Sequence, residues 1–131
     1  MVMSSSLWPN LSGIAQGRGL REMLVDAVGA ISAQTKGEIQ FHVDLLGIGP
    51  AGLVEKMRYN CYLRAAKTGY LILLFQVTTP STGPWPATLA TPEGEKYTNL
   101  TDETQLRDAI AQILQRPRTV EIVYYLRSMV H

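Results

Sequence analysis

The sequence contains very little cysteine and histidine. Cys61 is the only cysteine in 131 residues, so an intrachain disulfide is impossible. With one thiol and two histidines, His42 and His131, the chain is short of ligands for a usual tetrahedral zinc site. Cys61 stands at an apolar position of a predicted strand, where we expect an inert core residue. These residue types predict no metal site.

Long apolar runs and a strong charge imbalance are also missing. The longest apolar run, residues 70–75, is far shorter than the roughly 20 residues that a membrane-spanning helix needs. The net charge of +1 gives no reason to expect a nucleic-acid or acidic-membrane partner. The first residues lack the basic and apolar regions of a secretory signal, so we expect a cytoplasmic protein. We therefore predict neither nucleic acid nor a membrane as partner.

What remains is the composition of an ordinary globular domain. Hydrophobic residues make up 46% of the chain and charged residues 18%, which is the usual range for such domains. A chain of this length can bury roughly two thirds of its unfolded surface and fold without disulfide bonds or structural metal ions. We predict a single domain over residues 1–131, with a loosely ordered N-terminal segment over residues 1–12.

Periodic patterns in the first half of the chain predict a helix followed by strands. Apolar residues at three- and four-residue spacing indicate a helix over residues 17–34, with Lys36 and Gly37 as its stop. Alternating apolar and polar residues predict strands over residues 39–46 and 57–65, although the second segment also fits a helix. Residues 70–77 are apolar on both faces apart from one glutamine and predict the central strand.

The second half of the chain predicts two helices. Residues 81–92 are rich in proline and should be an edge strand at most, with a short hairpin of residues 87–90 and 96–98 as an option. Thr101 and the two acids after it indicate a helix start. Residues 118–130 fit a helix, which we favour, or a strand. The predicted fold class is α+β: an N-terminal helix, a mostly antiparallel sheet of three or four strands and two C-terminal helices, packed in two layers.

A resemblance supports this order of elements. The residues that carry it are Arg58-Tyr59, residues 70–75, Trp85-Pro86-Ala87-Thr88, Thr101-Asp102-Glu103-Thr104-Gln105-Leu106 and Arg116-Pro117-Arg118-Thr119. Their layout resembles one that recurs in a group of small uncharacterised bacterial proteins, over a little more than half of the chain. The resemblance implies an α+β order and transfers no activity and no functional residue.

One string matches a cofactor motif. It is Gly47-Ile48-Gly49-Pro50-Ala51-Gly52, which has the glycine pattern of a dinucleotide-binding turn. The strand before it alternates strictly between apolar and polar residues, so one of its faces should be wet. The first strand of a dinucleotide fold is instead covered on both faces. No acid follows the next candidate strand to bind a ribose. We therefore interpret the string as a flexible connection and predict no cofactor.

The polar side of the first two strands concentrates ionisable groups. If the chain reverses at residues 49–50, Asp44 lies opposite Lys56 or Arg58. We interpret this side as a solvated face held by cross-strand pairs. The alternative is an acid–base site in which His42 moves a proton beside Asp44 while Arg58 receives an anion. The residues of this alternative site are Glu38, His42, Asp44 and Arg58.

The central strand carries the strongest indication of function. With Leu71 and Leu73 facing the core, Tyr70, Ile72 and Leu74 would lie on the outer face of the sheet. Large apolar groups on an open face indicate either an interface or cover from the same chain. The candidate partner-binding residues are Tyr62, Tyr70, Ile72, Leu74 and Trp85.

The function expected from these patterns is non-enzymatic. We predict a small bacterial protein-interaction or regulatory domain, with no catalytic residue, that meets a protein partner or a second copy of itself. The contact surface would be the outer sheet face or the proline-rich loop of residues 83–88. The alternative is a small-molecule-binding protein or enzyme that uses the polar strand face or the loop of residues 47–52.

Overall fold

The computed structural model describes residues 19–129, which form a five-stranded antiparallel sheet and four helical segments. The elements are α1 (Leu20–Val28), α2 (Ala30–Gln34), β1 (Ile39–Ile48), β2 (Lys56–Ala65), β3 (Leu71–Pro80), β4 (Ala87–Ala90), β5 (Lys96–Leu100), α3 (Glu103–Leu114) and α4 (Pro117–Ser128). Each strand pairs with the next in the chain. The predicted α+β class is confirmed, with five strands where three or four were expected. The predicted loose segment of residues 1–12 lies outside the described residues.

The core lies between one face of the sheet and the helices. Ile39 and Val43 of β1, Leu63 of β2 and the buried sides of α1, α3 and α4 belong to one apolar cluster. Polar residues alternate with them along β1, and Asp44 is exposed. The prediction that β1 is wet on one face is therefore confirmed, and we call the side of the sheet opposite the helices the outer face. Within residues 19–129, no helix is long and apolar enough to cross a membrane.

The register between β1 and β2 differs from the expected one. Asp44 lies opposite Asn60, so the prediction that it faces Lys56 or Arg58 is wrong. The physical reason is the length of the reversal. The short 3-10 turn at Pro50–Gly52 is followed by residues 53–55 before β2 begins at Lys56, and this longer reversal moves every cross-strand partner along β2.

A β-bulge changes which residues of β3 face the core. Cys61 lies opposite Phe75 whereas Tyr62 lies opposite Leu73, so Leu74 is the extra residue. An extra residue reverses the inward and outward alternation along the strand. Leu74 is fully buried and Ile72 packs against the core. The predicted placement of these two side chains on the outer face is wrong.

The first helical region ends as the sequence indicates, although it is not continuous. Gly29 separates α1 from α2. Lys36 and Gly37 have positive φ angles of 53° and 80°, and the amide of Gly37 donates to the carbonyl of Ser32 at 2.7 Å. This is a left-handed helix end, which glycine adopts without strain, so the predicted stop is confirmed. Residues 17 and 18 of the predicted helix lie outside the described part.

Thr35 joins the end of α2 to the start of β1. Its hydroxyl donates to the carbonyl of Ile31 at 2.7 Å and accepts from the amide of Ile39 at 3.1 Å, and the residue is 4% exposed. We expect Thr35→Val to lower the free energy of unfolding by about 1–3 kcal/mol, because it leaves a buried amide without a partner. Urea denaturation measures this loss. The control Thr104→Val, at an exposed position of α3, should cost less than about 0.5 kcal/mol; equal losses would contradict the bridging role.

The hairpin of β4 and β5 is present, and β4 is an interior strand. β4 pairs with both β3 and β5, so the prediction of an edge strand at most for residues 81–92 is wrong. Pro84, Pro86 and Pro92 lie outside the four residues of β4, so they remove no donor from either ladder.

Both C-terminal segments are helical. Asp102, rather than the expected Thr101, caps α3, and its carboxylate accepts from the amide of Gln105 at 2.8 Å. The predicted helix after Arg116 is confirmed, with Pro117 in its first turn. Ion pairs from Arg116 to Glu95 and from Arg118 to Glu93 join the start of α4 to the turn between β4 and β5. These pairs fix the first turn of α4 against the sheet.

Candidate functional site

The five residues predicted to bind a partner do not form one surface. Leu74 is in the core, and the partly buried side chains of Ile72 and Trp85 pack against the core cluster. Tyr62 is half-buried on the outer face, opposite Leu73. Tyr70 is 49% exposed in the connection between β2 and β3, and its ring lies 6.3 Å from that of Tyr125. Ile72 and Leu74 therefore do not form the apolar patch expected on the outer face, since the bulge turns them inward and brings Leu71 and Leu73 to that face instead.

The glycine string forms the reversal of the β1–β2 hairpin. Gly47 and Ile48 end β1, and the residues after the 3-10 turn lead into the antiparallel β2. A dinucleotide-binding turn instead enters a helix whose N-terminal amides bind the pyrophosphate. The amide of Glu55 donates to the carbonyl of Ile48 at 2.8 Å and closes the reversal. The string is thus a structural turn in this fold.

Exposed apolar side chains surround this reversal. We define the hairpin tip as Leu45, Leu46, Leu53 and Val54, which are 49%, 51%, 66% and 51% exposed. Leu45 and Leu46 precede the turn on opposite faces of β1, and Leu53 and Val54 follow the turn before β2 begins, so all four lie at one end of the sheet. Apolar groups gathered at one place are more informative than single exposed side chains, which are common on any protein surface.

The hairpin tip lies at the end of the first strand of the sheet. β1 is the first strand of the sheet and pairs only with β2 among the described residues. It is ten residues long and contains neither proline nor lysine, which natural edge strands often use to prevent further pairing. Its last four residues, Leu45 to Ile48, are apolar and mostly exposed. The edge can therefore accept another strand.

The predicted acid–base residues are only partly brought together. Nε2 of His42 lies 2.8 Å from Oδ1 of Asp44, and both side chains are about half exposed. Glu38 instead pairs with Arg127 of α4 at 3.0 Å. Arg58 lies opposite Leu46 and Thr78 and makes no ion pair with Asp44. No group of three or more potential metal ligands was found among residues 19–129.

The outer face has a concavity that is lined by residues of β2 to β5 and by Ile48 at the end of β1. The concavity has a volume of about 700 Å³, and Lys56, Arg58, Lys96, Thr78 and Thr88 are among its lining residues. We call it the basic concavity. Register places Arg58, Thr78 and Thr88 in one row across three strands. Lys56 lies in the next row, on the same face of β2 as Arg58.

Two further features of the described residues are a buried thiol and an apolar groove. Cys61 is fully buried, and desolvation raises the pKa of its thiol well above the ordinary value, so it is an unreactive core residue as the sequence predicted. An apolar groove of about 480 Å³ lies between α2 and α4, with Leu63 at its base and Val120 and Tyr124 on its exposed side.

Two features of the sequence could have indicated the hairpin tip and the basic concavity. The alternation of β1 breaks at Leu45 and Leu46, where two apolar residues follow each other on a strand wet on one face. Lys56 and Arg58 are two positions apart and therefore share the polar face of β2. By contrast, no pattern in the sequence brings Lys96 of β5 to the same concavity, because its position depends on the order of the strands.

Similarity to known proteins does not add to these observations. The comparisons with protein-family models, with curated proteins and with solved structures found no match to this chain. The candidate sites are therefore the hairpin tip with the edge of β1, and the basic concavity of the outer face.

Proposed function

We propose that this protein is a non-enzymatic interaction domain that binds an extended segment of a partner protein along the edge of β1. The observation that carries the proposal is the hairpin tip, four apolar side chains about half exposed or more, at the end of a strand edge that no other strand of residues 19–129 pairs with. An added strand would satisfy the free backbone groups of β1, and its apolar side chains would cover the tip.

The non-enzymatic character is supported by the environment of His42. Its ring nitrogen is bonded to Asp44, and its ring lies 6.0 Å from that of Tyr62. Among the described residues, no hydroxyl or thiol is hydrogen-bonded to it as an activated nucleophile would be. The proposal places the protein in the bacterial cytoplasm, a location compatible with its single unpaired cysteine.

A peptide-display experiment tests the proposal. Full-length protein is used to select from a library of short random peptides, and we expect enriched sequences with apolar residues at every second position, the pattern of an added strand. The variant Leu45→Lys/Leu53→Lys should weaken binding by about tenfold or more, because it places charges where apolar contacts form.

The matched control is Val120→Lys/Tyr124→Lys, which changes exposed apolar residues on the distant helix α4. It should leave binding unchanged. Enriched peptides with helical spacing, whose binding is lost only in the control variant, would contradict the proposal and point to the groove beside α4.

Sedimentation of the purified protein tests whether the added strand is β1 of a second copy. In that case the protein should sediment as a dimer, and the hairpin-tip variant should dissociate it.

A further inference from the structure

We propose that the basic concavity binds the phosphate group of a small phosphorylated metabolite, held between Lys56 and Arg58. The concavity lies on the outer face, on the side of the sheet opposite the helices, and reaches Ile48 at the end of β1. Its volume of about 700 Å³ is within the range of sites that hold small molecules. The proposal is independent of the interaction at β1.

The charge of the concavity is unbalanced. Its lining includes Lys56, Arg58 and Lys96 and a single carboxylate, Glu55, which leaves two excess positive charges in a chain whose net charge is +1. The side chains of these three cations make no ion pair in the described part of the chain. Lys56 and Arg58 are only two residues apart on one strand face, so their Cα atoms are separated by about 7 Å. An anion between them would relieve their repulsion.

Arg58 differs from the arginines that follow it. Its Nε is buried and has no hydrogen-bond partner among residues 19–129. The other arginines from Arg64 onward each have a polar partner, in Gln40, Glu103, Glu95, Glu93 and Glu38. A buried donor without a partner destabilises a fold, and the Arg58 guanidinium makes no ion pair among the described residues, so Arg58 is available to a ligand in the concavity rather than held by a structural contact.

The neighbouring groups favour a phosphate over a carboxylate. One guanidinium can satisfy a carboxylate alone, whereas a phosphate monoester carries close to two charges and three acceptor oxygens. Arg58 offers a planar pair of donors and Lys56 a second charge, and Thr78 and Thr88 add hydroxyl donors in the same row. Gln76, whose side chain bonds Asn60 at 2.9 Å, lies in the adjacent row and can contact the polar remainder of the ligand.

Titrations followed by amide chemical shifts test the site. The probes are adenosine 5′-monophosphate, ribose 5-phosphate and inorganic phosphate, with adenosine and ribose as controls that lack the phosphate. We expect saturable shifts at Arg58, Thr78 and Thr88 with the phosphorylated probes only, and binding that weakens as sodium chloride is added.

Substitutions separate a ligand contact from a structural role. Arg58→Met should weaken the binding of the phosphorylated probes by about tenfold or more, and Lys56→Met should also weaken it. The melting temperature of Arg58→Met should equal or exceed that of the original protein, since the substitution removes an unpaired buried donor. The matched control is Arg64→Met, on the same face of the same strand, where the guanidinium is already bonded to Gln40; it should leave binding unchanged.

Several results would overturn the proposal. They are the absence of saturable binding by every phosphorylated probe, equal binding of adenosine, equal loss in Arg64→Met, and a lower melting temperature of Arg58→Met with unchanged binding. Binding of oligothymidylate without binding of any mononucleotide would also overturn it, in favour of a nucleic-acid surface.

Discussion

Leu74→Ala is expected to lower the free energy of unfolding by about 2–5 kcal/mol. Leu74 is fully buried in the core, so its truncation removes apolar burial and leaves a cavity beside Phe75. Chemical denaturation followed by circular dichroism, with an unchanged dependence on denaturant, measures the loss.

The matched control for this substitution is Leu71→Ala on the same strand. Leu71 is 40% exposed on the outer face, opposite Arg64, and its truncation should cost about 1 kcal/mol or less. The pair of variants tests the bulge directly, because uninterrupted alternation would place Leu71 inward and Leu74 outward. A larger loss in Leu71→Ala than in Leu74→Ala would show that β3 has the uninterrupted register.

Gly49→Ala is expected to lower the free energy of unfolding by about 1–3 kcal/mol through distortion of the β1–β2 reversal. A Cβ atom added at Gly49 would lie 1.8 Å from the carbonyl oxygen of Leu53 and 3.0 Å from the amide nitrogen of Glu55. Both are backbone atoms, so relief requires the turn to open. Denaturant unfolding measures the loss, and faster hydrogen exchange of the Glu55 amide should accompany it.

The control for Gly49→Ala is Gly83→Ala. An added Cβ at Gly83 meets no atom within 4 Å in the described part of the chain, so this substitution should be neutral or slightly stabilising. If the two alanine variants were equally stable, the close approach of Gly49 to Leu53 would not be a constraint on the fold. The experiment also bears on the glycine string, since it assigns Gly49 a steric role in a turn rather than a contact with a cofactor.

Local patterns predicted the helices and strands because the spacing of apolar residues within each element indicates which of its faces is buried. The alternation of β1 requires one wet face, and the helical spacing of Leu106, Ala109 and Ile110 requires one buried stripe, as the structure shows for both. The helix end at Gly37 was also predictable, since the left-handed backbone conformation that ends a helix depends on the residue type at that one position.

The sites were less predictable because they depend on register. The candidate patch at Ile72 and Leu74 assumed uninterrupted alternation, and one bulge opposite Cys61 and Tyr62 turned both residues towards the core. The pairing of Asp44 depended on the length of the reversal, which glycine and proline permit in several forms. A shift of one or two residues is invisible in the sequence, yet it decides which side chains meet.

Patterns within short segments were enough to predict the α+β class, an antiparallel sheet with one wet face and the inert Cys61. It took the tertiary structure to show that β4 is an interior strand, that Leu45, Leu46, Leu53 and Val54 are exposed at the hairpin tip, and that Lys96 joins Lys56 and Arg58 around one concavity. These features join residues from different strands, and their positions are set by strand order, turn length and a single bulge, which act between segments.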